Sequence, residues 1–340
     1  MSTNGTQHYS TKDCTEPGPY CPVEATVLGY YPNLGANAFL LAGFGVCFLG
    51  LLIAGIWKKT WGYSAALLAG CILEVAGYIG RLQLHSNPFS QDGFQLQISC
   101  IVLAPTLLCI SIYLTLKHAV LSLSPGLSRV RPRLYPLIFV PADVSCLILQ
   151  AIGGGLAASA KSDNAALLLA GDRVIIVGIA LQVAVLLGFG AMASDYLVRV
   201  RRALKGGEEN VLAPGALALW GDKKARLFFY AVLGAYFSIL IRCIYRIAEM
   251  SGGWGSTIMR DEPSFIVLEG FLVLIAVFLL TAFPPGFLFP AMAERESQRF
   301  RKKSKTSGGN TTGEAVVKSG DETSDGAEAG PREAEKHAQV

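Results

Sequence analysis

Read along the chain, apolar residues fall in long blocks rather than in alternating runs. Seven blocks are long enough to cross hydrocarbon, which takes about 20 residues of helix. The pattern predicts helical spans over 37–57, 63–84, 97–120, 135–159, 173–197, 226–249 and 264–283. Polar flanks remain on both sides. The expected organisation is an N-terminal segment (1–36), a seven-helix domain (37–292) and a C-terminal tail (293–340). After Lys305 the tail is Gly, Ser, Thr, Glu and Asp with few apolar residues, a composition that predicts disorder.

Composition supports a membrane protein over a soluble one. Of 340 residues, 52% are hydrophobic and only 16% charged, against about 25% charged in soluble domains. Mean hydropathy is +0.44. The predicted fold class is therefore all-α, a polytopic bundle of seven transmembrane helices. No apolar run precedes residue 37, so the first span is expected to serve as its own targeting signal.

Charge then sets orientation. With the N-terminus outside, the cytoplasmic segments hold Lys58, Lys59, Lys117, Arg129, Arg131, Arg133, Arg199, Arg201, Arg202, Lys205, Lys223, Lys224 and Arg226. They also hold the basic start of the tail, Arg295 to Lys305. Only Lys12, Lys161, Arg173 and Arg260 fall outside. By the positive-inside rule, the N-terminus is outside and the C-terminus cytoplasmic. The basic loops suit anionic inner-leaflet lipid rather than nucleic acid. On the outer side, Cys14 and Cys21 in "CTEPGPYC" are expected to form a disulfide, and Asn4 heads a glycosylation sequon. The sequon at Asn310 would face the cytosol and stay unused. The other six cysteines lie in or at the ends of spans, where thiols behave as small apolar residues.

The polar residues inside the spans change the picture. Glu74 and Arg81 are seven residues apart, which places them on one helical face about 10 Å apart. Asp143 and Gln150, Arg242 and Glu249, and Glu262 and Glu269 repeat that spacing, with Arg246 between the members of the third pair and Gln182 near the middle of the fifth span. A charge at mid-membrane costs about 2.5–3.5 kcal/mol on insertion scales, so these groups are expected to face one another inside the bundle. The depth of each residue predicts a polar cavity open to the outer face and narrowing toward Glu74, Gln150 and Asp143. An architectural alternative stands beside it: Arg81 and Glu249 can snorkel to the interface, Arg246 and Glu249 can pair locally at i, i+3, and intramembrane ion pairs also hold helices together. Gly153, Gly154 and Gly155 read either as a close helix contact or as room for a bulky ligand. Pro105 and Pro141 each remove a helical hydrogen bond and predict bends.

Several chemistries lack their residues. The last span has no Lys for a retinal Schiff base. His8, His85, His118 and His337 are scattered, so no metal site is expected. Neither a phosphate-binding G-x-x-x-x-G-K-[ST] loop nor a G-x-S-x-G nucleophile turn occurs. No enzyme activity and no cofactor are expected.

From Tyr31 to Phe289 the chain resembles the RTA-like lipid-translocating exporters of fungi, a seven-helix family. The resemblance rests on "YPNLGANAF", on Glu74, Gly77, Tyr78 and Arg81, and on "LAP" at 103–105 with Tyr113. It continues through "FVPADVSCLILQAIGGG", "GIALQ", "RCIYRIAE" and the Glu262–Glu269 pair. The chain departs from the family at Pro284, where a His is common. The resemblance implies export of amphipathic lipids, with cationic sphingoid long-chain bases foremost and sterol-like toxins or porphyrins beside them, at the plasma membrane. The rival is a seven-helix sensor that signals through its basic inner loops. Against it, the third span lacks an Asp/Glu-Arg-Tyr switch and the seventh lacks Asn-Pro-x-x-Tyr.

Overall fold

A computed structural model describes residues 14–19, 21–58, 61–160, 165–206, 213–214 and 216–284. Asn4, Asn310 and the C-terminal tail lie outside the described residues.

Seven helices are long and apolar enough to cross a membrane. They are α1 (Leu34–Lys58), α2 (Trp61–Ser86), α3 (Gln91–Leu123), α4 (Leu134–Ser159), α5 (Ala165–Gly206), α6 (Lys223–Ser251) and α7 (Glu262–Ala282). No strand occurs among the described residues. The expected spans are all present, and several helices run beyond them, because helix propensity continues past the hydrocarbon where loop residues hydrogen-bond to water. Two helix starts carry side-chain caps: Ser90 accepts from the Gly93 amide before α3, and Asp222 accepts from the Lys224 amide before α6.

Each helix packs on its neighbours in sequence, and α1 closes the ring against α7. α3 also touches α6, which places it in the interior. Aromatic rings fill the centre. Phe44 stacks on Tyr78 at 5.6 Å, and Tyr113, Phe139 and Phe189 form a cluster with centroids 4.6–5.6 Å apart. Outward, Leu49, Ile53, Ile148, Val177, Phe237 and Phe278 are exposed. An apolar surface of this kind fits acyl chains.

α2 and α3 approach closely at Gly80, where a Cβ would lie 2.7 Å from the Gly93 carbonyl oxygen and 2.8 Å from the Gln97 amide nitrogen. α4 and α5 approach at Gly153, whose Cβ would lie 2.7 Å from the Ile175 nitrogen and 2.8 Å from the Gly171 oxygen. Gly154 and Gly155 instead have nothing within 4 Å. Of the two readings of the glycine triplet, Gly153 takes the close helix contact; the other two face out of the bundle and make no internal room.

Pro105 and Pro141 sit inside α3 and α4 without interrupting either helix. α7 departs from α-geometry: Phe265–Phe271 is a π-helical turn. That turn carries Glu269, and at adjacent Gly270 a Cβ would meet Tyr78 Oη at 2.9 Å. Such turns recur at functional sites.

One face of the bundle gathers the N-terminal segment and the α2–α3 and α6–α7 loops. There Cys14 and Cys21 form a disulfide, Asn87 Nδ2 donates to the Thr15 carbonyl at 2.9 Å, and Arg260 donates to the Glu24 carbonyl at 3.4 Å. The opposite face holds the basic α3–α4 and α5–α6 loops. Asp195 bridges Arg129 at 3.1 Å and Arg199 at 3.0 Å, and Tyr196 ties α5 to Ser124.

Candidate functional site

Among the described residues, the polar side chains expected to share one cavity fall into two networks, one on each side of α3. This corrects the expectation of a single cavity narrowing to Glu74, Gln150 and Asp143. The physical reason lies in α3 itself: Ile101 and Leu108 point at α2, where they meet Gly77 and Gly70, while Thr106 and Tyr113 point at α4 and α5. A helix in the middle of a ring has two polar-accepting sides.

The first network joins α1, α2, α3, α6 and α7. Arg242 forms a buried ion pair with Glu269 and donates to the Ile101 carbonyl at 2.8 Å. Glu74 lies within electrostatic reach of both charges. It is 1% exposed, and neither carboxylate oxygen has a hydrogen-bond partner among the described residues. Arg246 pairs with Glu249 at 2.5 Å, the local i, i+3 contact.

Arg81 does not pair with Glu74, although they share a face. Its Nε donates to Asn37 Oδ1 at 2.9 Å, its Nη2 to Tyr30 Oη at 3.1 Å, and its Nη2 lies 3.5 Å from Glu262 Oε1. The guanidinium also stacks 4.0 Å over the Phe265 ring. Burial pushes the Tyr30 phenol above its ordinary range, so it stays neutral and accepts from Arg81. Glu262 and Glu269 therefore serve different arginines. A π-helical turn, Phe265–Phe271, carries Glu269 beyond Glu262.

A small cavity lies at the N-terminal-segment end of this network. Arg81, Gln97, Ile101, Arg246, Glu249 and Met259 contribute to its lining. Its water-sized room is about 10 Å³, which is what one water needs.

The second network joins α3, α4 and α5. Gln150 Nε2 donates to Gln182 Oε1 at 3.0 Å, and Gln182 Nε2 donates to Thr106 Oγ1 at 3.1 Å. Tyr113 donates to Asp143 Oδ2 at 2.6 Å, leaving Oδ1 without a partner among the described residues. Cys109 is hydrogen-bonded with Tyr113 of this network and Cys243 with Arg242 of the first, so the two networks come nearest at a pair of thiols.

Sequence reasoning passed over Asn37, Tyr30, Gln97 and Thr106. A polar residue in the first turn of an apolar span was the available signal for Asn37. Thr106 beside a proline and Gln97 two turns before it gave a weaker one.

A family model described as "RTA1 like protein" matches residues 67–292. The chain belongs to the RTA1-like family. Members with curated names include "Sphingoid long-chain base transporter RSB1" of Saccharomyces cerevisiae (strain Lalvin EC1118 / Prise de mousse), 31% identical over 289 residues, which cover 77% of this chain and 74% of the relative. "Protoporphyrin uptake protein 1" of Saccharomyces cerevisiae is 30% identical over 224 residues, covering 65% and 67%. "Protein RTA1" of the same species is 26% identical over 217 residues, covering 63% of each. No solved structure matches the chain. With seven apolar helices, this RTA1-like protein is an integral, multi-pass membrane protein.

Proposed function

We propose that this protein exports amphipathic lipids from the membrane, with amine-bearing sphingoid long-chain bases as the substrate class. One observation carries the reading. Glu74 is a buried carboxyl group with no hydrogen-bond donor among the described residues, beside an arginine already committed to Glu269. Ionising a carboxyl in that position is costly until a cation reaches it. The ammonium of a long-chain base supplies that cation while its alkyl tail stays among acyl chains. The relatives named as sphingoid base transporters support the choice of substrate.

In this reading the Arg242–Glu269 pair sets the field at Glu74, and Asp143 with Gln150 and Gln182 holds α4 and α5 against α3. The N-terminus faces outward at the plasma membrane, and the basic α3–α4 and α5–α6 loops lie against anionic inner-leaflet lipid. The test uses vesicles containing the purified full-length protein. Labelled sphingoid base should cross faster than in empty vesicles, and Glu74→Gln should abolish the difference. A sensor moves no lipid, so equal rates in loaded and empty vesicles would exclude the transporter reading.

A further inference from the structure

We infer that the cavity between Arg81 and Gln97 reads the hydroxyl groups of an amino-alcohol lipid at a separate step of its passage from the one at which the Glu74 carboxyl takes its amine. The inference rests on the transport function proposed above and assigns specificity within it.

Arg81 is held at three points. Asn37, Tyr30 and the Phe265 ring fix its Nε, Nη2 and face. Its remaining nitrogen, Nη1, is buried and has no acceptor among the described residues. Gln97 sits in the same lining, one turn after α3 begins its close approach to Gly80. Its Oε1 is likewise buried and without a donor. The lining thus holds one donor on a fixed guanidinium and one amide acceptor, both without partners among the described residues, beside apolar walls at Ile98, Ile101 and Val102. Buried polar atoms are rarely left so, and each such atom calls for an explanation.

The chemistry of the two atoms selects the ligand. An ammonium can donate to Gln97 but offers nothing to Arg81. A carboxylate or a fully ionised phosphate can accept from Arg81 but has no proton to donate to Gln97. A hydroxyl does both, since it carries one donor and two lone pairs. Arg246 and Glu249 line the cavity as a closed ion pair, and Glu262, 3.5 Å from Arg81 Nη2, offsets the guanidinium, so little net charge draws an ion in. One water fits the present volume. A headgroup hydroxyl takes that place as the lining opens.

The experiment compares two lipids of equal chain length in vesicles containing the full-length protein. Sphinganine carries an amine and two hydroxyls, whereas octadecylamine carries the amine alone. The wild type should move sphinganine about tenfold faster or more, because a site built around hydrogen bonds rejects analogues that lack them. Gln97→Leu should bring the ratio of the two rates close to one. The same preference should appear without any variant, as a larger rise in melting temperature of the wild type with sphinganine than with octadecylamine. A wild-type ratio near one overturns the inference, as does a Gln97→Leu ratio equal to the wild type's, including a parallel loss of both rates. Transport of neither lipid overturns the proposed function and this inference with it. Transport of both at equal rates overturns this inference alone.

Discussion

Arg242 donates to the carbonyl oxygen of Ile101 at 2.8 Å. In an α-helix that oxygen accepts from the amide four residues on, and here that residue is Pro105, which has no N–H. The proline therefore leaves an acceptor open in α3, and an arginine from α6 uses it. Pro105→Ala returns the amide and sets it in competition with Arg242. The variant should fold at least as well as the wild type, since proline inside a helix costs about 3 kcal/mol. Its sphingoid-base transport should nevertheless fall. Melting temperature in detergent and transport in vesicles, measured on one preparation, check the opposite signs.

The two acidic residues near Arg242 should respond in opposite ways to the same substitution. Glu269→Gln leaves Arg242 buried without its counter-charge, and breaking such a pair costs about 3–5 kcal/mol. Glu74→Gln replaces a buried carboxyl that has no hydrogen-bond partner among the described residues, so stability should hold or rise while transport is lost. Thermal unfolding followed by intrinsic fluorescence separates them. Equal destabilisation by both would contradict the assignment.

Gly153→Ala should destabilise the bundle by about 1–3 kcal/mol, because its Cβ has no room against Ile175 and Gly171. Gly154→Ala should be neutral or stabilising by about 0.5–1 kcal/mol, since the site is open and glycine weakens a helix. A pair of melting curves decides this without any functional assay.

Tyr113→Phe removes the only hydrogen bond found for Asp143 among the described residues. The expected loss is about 1–3 kcal/mol, the cost of a stranded buried acceptor. Tyr113→Phe combined with Asp143→Asn should lose less than the sum of the two single changes, because both act on one contact.

Much of the fold was legible because hydrocarbon imposes a simple rule on backbone and side chains. The seven spans follow from apolar blocks, and the buried positions of Glu74, Asp143, Arg242 and Glu269 follow from the cost of charge in lipid. Partner choice was not legible. The i, i+7 spacing correctly put Arg81 on the face of Glu74, yet Arg81 reached Asn37, Tyr30 and Glu262 from three other segments. Spacing along one helix cannot say which neighbouring helix brings a better acceptor. Nor can it register the π turn that carries Glu269. The single cavity failed for a related reason: which residues share a pocket depends on the rotation of α3, and an apolar block does not encode that.

α5 is 42 residues long. At 1.5 Å per residue it reaches about 63 Å, roughly twice the thickness of a bilayer's hydrocarbon. Its C-terminal turns are anchored by Val200 and Ala203, both buried, so the rod continues past the lipid as part of the folded body. A small rigid domain spliced in just beyond Gly206 would inherit that stiffness. Such a fusion would give electron cryomicroscopy an alignment marker on a protein otherwise almost wholly hidden in detergent.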